Sequence, residues 1–145
     1  MTKPDVTQAL PTLAISPEKV CFVIVKAREF DVKVGVSNPD EGSNASDDAM
    51  VSVLEDRAED PVAQELRGFI GALTLDEQVD LVTLTWLGRG DGTVEDWDQL
   101  RAEALGAHNR RTASYLLGTP LLADFLEEGL SQLGLSCEEF EMGRL

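Results

Sequence analysis

The stretch Val20-Cys21-Phe22-Val23-Ile24-Val25 decides the fold class. Read alone it is a strand: continuous, apolar and rich in β-branched residues. Its flanks turn that reading into a helix. Ser16-Pro17-Glu18 is a helix start, with serine as N-cap, proline at the first helical position and an acid in the first turn. A strand explains neither this signal nor the continuation Lys26-Ala27-Arg28-Glu29. As a helix, the segment puts Val20, Val23, Ile24, Ala27 and Phe30 on one stripe.

The rest of the chain is punctuated in the same way. Ser46 starts a second helix, with Met50, Val51, Leu54 and Ala58 inward. Asp60-Pro61 caps a third, whose Val62, Leu66, Phe69, Ile70 and Leu73 follow an amphipathic spacing. Thr74-Leu75-Asp76-Glu77 is a capping box, in which the threonine hydroxyl and the glutamate carboxylate satisfy reciprocal backbone N–H groups. The fourth helix that it opens carries Val79, Val82 and Trp86 on one face and Leu81, Leu84 and Leu87 beside it. A helix apolar over so much of its circumference belongs at the centre of the core. Thr93 caps a fifth, with Val94, Trp97, Leu100 and Ala104 on one side, and Gly106 ends it. A sixth runs through RRTASYLL to Gly118. Thr119-Pro120 starts a seventh, which places Leu122, Phe125, Leu126, Leu130 and Leu133 on the core. Gly134 closes it in the left-handed conformation. The reading is all-α: a compact bundle of six to seven short helices over residues 15–145, preceded by a flexible arm at 1–14 and interrupted by an acidic loop at 35–48.

One connection invites a functional reading. TWLGRGDGTVEDW, residues 85–97, sets three glycines at alternate positions between the chain's two tryptophans. Helix, glycine loop and helix over residues 75–105 resemble an EF-hand corner. With Gly92 at the loop's central glycine, however, Leu87 and Arg89 fall where carboxylate or amide ligands belong. No calcium site is expected. The loop is not a phosphate cradle either, because Asp91, Glu95 and Asp96 already occupy the positive end of the next helix. The expected structure is a turn: Gly88 and Gly90 break one helix, Gly92 adopts a positive φ, Thr93 caps the next helix, and Trp86 and Trp97 pack across the corner.

Charge narrows the partners. Twelve basic against 27 acidic residues leave a net charge of −15. Such a surface repels nucleic-acid phosphates and anionic lipid, so neither nucleic acid nor membrane is an expected partner. The N-terminus lacks the build of a signal peptide, and no apolar run reaches membrane-spanning length, so the expected location is the cytoplasm. Cys21 reads as a buried free thiol, and Cys137 as a thiol blunted by Glu138 and Glu139. No cysteine–histidine cluster points to a metal.

The locally basic stretch is His108-Asn109-Arg110-Arg111. With Arg89, Asp91 and Arg101 on the preceding elements, His108 and Arg111 are the candidate ligand or partner contacts. The opposing reading is that these arginines answer the chain's own acids. Adjacent acids such as Asp47/Asp48, Glu55/Asp56, Glu59/Asp60, Glu127/Glu128 and Glu138/Glu139 point apart on a helix, so they are solvated faces rather than a catalytic pair. No catalytic, cofactor or metal residue is assigned.

DEQVDLVTLTWLGRGD and HNRRTASYLLGTPLLADFLEEGLSQLG resemble a family of small bacterial proteins of unknown function, DUF3775. The resemblance covers roughly the second half of the chain. It implies a bacterial, helical protein and brings no activity, cofactor or functional residue. The leading expectation is therefore a non-enzymatic module that binds another protein or a second copy of itself as a homodimer. A small-molecule or phosphate-binding protein, enzymatic or not, using Arg89, Arg101, His108 or Arg111 is the alternative, and an acidic mimic of nucleic acid the third.

Overall fold

In a computed structural model of the protein, residues 10–34 and 60–138 are described. The expected second helix from Ser46, the acidic loop at 35–48 and most of the N-terminal arm lie outside the described residues, as does the tail beyond residue 138. The described residues form six α-helices and one 3-10 turn, with no strand among them. The α-helices are α1 (Pro17–Val34), α2 (Pro61–Gly71), α3 (Leu75–Arg89), α4 (Trp97–Ala107), α5 (Thr112–Leu117) and α6 (Leu122–Gln132). The 3-10 turn, Val94–Asp96, precedes α4.

The deciding stretch is helical. Pro17 opens α1, and Val20, Cys21, Val23, Ile24, Ala27 and Phe30 are all buried. The β-branched run costs little helix propensity next to the burial of a whole stripe. In α2 the Asp60 carboxylate accepts the Val62 and Ala63 N–H groups, and Ala63, Leu66 and Ile70 turn inward. The capping box of α3 forms in both directions: Glu77 N–H donates to the Thr74 hydroxyl, and Thr74 N–H to the Glu77 carboxylate. Residues 79–85 of α3 are buried without interruption, as a central helix requires.

α3 packs mainly on α6 and then on α4, and α1 also packs on α6. Two glycines let α3 and α6 approach closely. A Cβ on Gly129 would sit 2.5 Å from the Leu84 carbonyl oxygen, and one on Gly88 would run into the carbonyl of Phe125. Gly88 is therefore not a helix breaker: it lies within α3, which runs on to Arg89.

Two further expectations are corrected. The left-handed residue in the α3–α4 loop is Gly90, at φ 98°, not Gly92. Gly92 is confined by crowding, since a Cβ there would meet Leu100 Cδ1 at 3.1 Å and the Asp96 side chain at 3.2 Å. Thr119-Pro120 does not start α6. The Thr119 hydroxyl donates to the Tyr115 carbonyl of the preceding helix, and α6 begins at Leu122 after Leu121 takes a left-handed φ of 62°.

The cysteines are not free. Cys21 on α1 and Cys137 beyond α6 are joined by a disulfide across 116 residues of sequence, with Cα atoms 5.7 Å apart. Both are buried. The bond pins the segment after α6 to α1. No helix among the described residues is long and apolar enough to cross a membrane.

Candidate functional site

Of the five candidate residues His108 and Arg111 line one cleft, and Arg89, Asp91 and Arg101 do not. They separate into groups already engaged within the chain and one that is not.

Arg89 and Asp91 engage each other. The guanidinium meets the carboxylate through both Nη2 (2.6 Å) and Nε (3.2 Å). Asp91 first, and then the hydroxyl of Tyr115, hold Arg89 above its ordinary pKa. The only aspartate of the glycine loop itself is thus occupied by an internal cation.

Arg101 is structural. Its Nε donates to Asp80 Oδ1 at 2.7 Å, and its Nη2 to Asp76 Oδ1 at 3.0 Å. Asp80 is 1% exposed, yet it is fully partnered. Its other oxygen accepts the N–H of Ala14 at 2.5 Å and that of Ile15 at 3.4 Å. One buried carboxylate therefore ties α3 to α4 and to the segment entering α1. A buried charge held this way is strongly coupled to the fold, because losing either partner strands the other.

His108 is held by Gln78. The Gln78 side-chain amide donates to the carbonyls of Ile70 (2.9 Å) and Leu73 (3.3 Å), at the end of α2. Its oxygen is then the acceptor for His108 Nε2 at 2.7 Å. With the amide oxygen facing it, Nε2 is the donor of this bond.

Arg111 stands apart. Asn109 Oδ1 accepts the Arg111 N–H at 2.7 Å, and the buried Thr112 donates its hydroxyl to the Asn109 carbonyl at 2.8 Å. These bonds fix the backbone of the α4–α5 turn, but they leave the guanidinium alone. Lys19, Lys26, Arg28, Arg89 and Arg101 each hold a carboxylate. Among the described residues Arg67 on α2, Arg111 and its neighbour Arg110 hold none, and the last two stand side by side. In a chain carrying 27 acids, that is the departure that calls for a cause.

Arg111 lies on a cleft of about 190 Å³, lined by Val82, Trp86, Ala104, Ala107, His108, Asn109, Arg111, Thr112 and Tyr115. No carboxylate is among them. Trp86 is half-buried, and its indole N–H donates to the Tyr115 hydroxyl at 2.9 Å. Tyr115 is 44% exposed, while Trp97 is buried at the start of α4. The sequence reading missed Trp86 and Tyr115 as cleft walls. The signal was available for Tyr115: with Leu116 and Leu117 on the core, the preceding position of so short a helix turns outward.

A second charged group lies away from the cleft. Arg28 holds Asp124 at 3.1 Å and Glu127 at 2.6 Å. Burial, and then the neighbouring Asp124, push the Asp31 carboxyl up to about 6. Among the described residues no group of histidine, cysteine and acid side chains is placed to hold a metal.

Residues 63–135 match the family described as protein of unknown function (DUF3775), and the chain belongs to it. The match takes in α3, α4, α5 and α6 and every residue lining the cleft, and leaves α1 and both cysteines outside. No curated protein and no solved structure matches the chain.

Proposed function

We propose that this family member is a protein-binding module whose contact face is the cleft between α3, α4 and α5. The observation that carries the reading is the unpaired Arg111 beside the partly exposed Trp86 and Tyr115. Tryptophan, tyrosine and arginine are the side chains on which interface binding energy concentrates, because each offers a large contact area with a polar end. Here all three line one cleft rather than being scattered over the surface.

The alternative of a small-molecule or phosphate site keeps His108 and Arg111 on the cleft but loses two of its four residues. Arg89 and Arg101 are neutralised by Asp91, Asp76 and Asp80. The cleft, at about 190 Å³, is also below the ~300–1,000 Å³ usual for drug-sized ligands. Self-association gains nothing from the apolar stripes of α2 and α6. Leu66 and Ile70 of α2 and Leu122, Leu126 and Leu130 of α6 are covered within one chain, with α1 packing on both helices. Those stripes are therefore not open to a homodimer.

The test places a photo-crosslinking amino acid, p-benzoylphenylalanine, at Tyr115 and, as a control, at Glu128 on the exposed side of α6. In an extract of the native cells, the Tyr115 position should give one discrete protein adduct that the control lacks and that Arg111→Ala removes. Adducts shared equally by the two positions, or none at Tyr115, would refute the proposed face.

A further inference from the structure

The chemistry of the cleft narrows what can occupy it, and the argument rests on the protein-binding reading. Three observations combine. First, the cavity is the size of one side chain. A cavity of roughly 150 Å³ holds a benzene ring, and this cleft is about 190 Å³ with walls contributed by Val82, Trp86, Ala104 and Ala107. Second, the polar groups at its edge are mostly donors without acceptors. Arg111 offers its full guanidinium fork. Asn109 uses its side-chain oxygen on the Arg111 N–H and keeps its NH2 group. The Tyr115 hydroxyl accepts from Trp86 and gives its own proton to no acceptor among the described residues. Third, the edge is locally basic on an acidic molecule. Arg110 and Arg111 are exposed and unpaired, and none of the residues lining the cleft is an acid.

We infer that the cleft binds an acidic segment of a partner protein, burying one aromatic side chain against Trp86 and pairing an adjacent carboxylate with Arg111. A basic segment would leave the guanidinium repelled and the donors unmet. A purely apolar one would cover them without acceptors, which is costly. A bidentate arginine–carboxylate pair satisfies them and fixes the register of the segment. The overall charge of −15 then acts as a filter. It opposes acidic partners in general, so an acidic segment depends on this basic edge to dock.

The protein's two tryptophans give a direct readout, because a nitrogen–proton correlation spectrum carries one indole signal from each. The probe is the capped peptide acetyl-Glu-Phe-Asp-Glu-amide. Titration should move the Trp86 signal saturably and leave that of Trp97 still. Affinity should fall at least ten-fold with Arg111→Ala, and as much when the peptide's acids become lysines or its phenylalanine becomes glycine. Arg111→Lys, which keeps the charge and loses the fork, should fall between. Thermal melts of both variants check that they are folded. Equal binding of the lysine peptide overturns the inference, as does a Trp86 shift unaffected by Arg111→Ala. Benzoate binding as tightly as the peptide would make the cleft a small-molecule site. A Trp86 signal that moves with protein concentration alone would give it to a second copy. Failure of the peptide alongside a Tyr115 adduct whose partner lacks an acidic segment leaves the interface standing and sinks only its chemistry.

Discussion

The two ends of α4 carry similar side chains to opposite effect. At the N-terminal end, Arg89, Asp91, Thr93 and Asp96 close on themselves: Arg89 forks onto Asp91, and Asp96 accepts both the N–H and the hydroxyl of Thr93. At the C-terminal end, Asn109 and Thr112 fix the backbone while Arg110 and Arg111 face outward without a carboxylate. The first corner has the composition of a ligand loop and the contacts of a turn. The second has the look of a plain connection, yet it holds two adjacent cations without a carboxylate. The difference teaches that an arginine informs about function through the partner it lacks, and composition does not reveal that.

This contrast can be broken from either side. The largest effect is expected at Asp80, whose removal leaves Arg101 and the Ala14 and Ile15 amides without their acceptor. Asp80→Ala should cost about 3 kcal/mol in urea unfolding, toward the lower end of what breaking a buried pair costs, because Arg101 is partly exposed and can turn to water. A loss below about 1 kcal/mol would mean that the first set of arginines is not structural after all.

A middle-sized effect belongs to Gly90, which alone in the glycine loop takes a left-handed φ. Gly90→Ala should destabilise by about 1–2 kcal/mol, the cost of placing a Cβ in that conformation. It should leave crosslinking at Tyr115 unchanged. Loss of the adduct in a folded Gly90→Ala protein would return the glycine loop to the functional site.

The smallest stability effect is expected where the binding effect is greatest. Arg111→Ala removes an exposed side chain without an internal partner, so stability should stay within about 0.5 kcal/mol of the parent. A larger loss would show that the guanidinium is held within the fold, and the second corner would become as structural as the first.

Most of the architecture could be read from the chain because the signals are local. Ser16-Pro17, Asp60-Pro61 and the Thr74–Glu77 box act across three residues or fewer, and the stripes of α1, α2 and α6 repeat within a single helix. Local signals also misled where two of them competed. Thr119-Pro120 has the composition of a helix start, but the Thr119 hydroxyl found a nearer acceptor at Tyr115. The positive φ was expected at the right kind of residue and the wrong glycine of three.

The sequence by itself determined the helical class, the central place of α3 and the family. Tertiary structure alone decided which polar groups pair between distant elements. Asp80 meets the backbone at Ala14, 66 residues away, and Arg101 at a separation of 21; Cys21 meets Cys137 across 116. Periodicity and capping are properties of neighbouring residues, whereas a salt bridge or disulfide between distant elements forms only after the helices have packed. For the same reason the unpaired Arg111 could not be told from the paired Arg101 until every neighbour was in place.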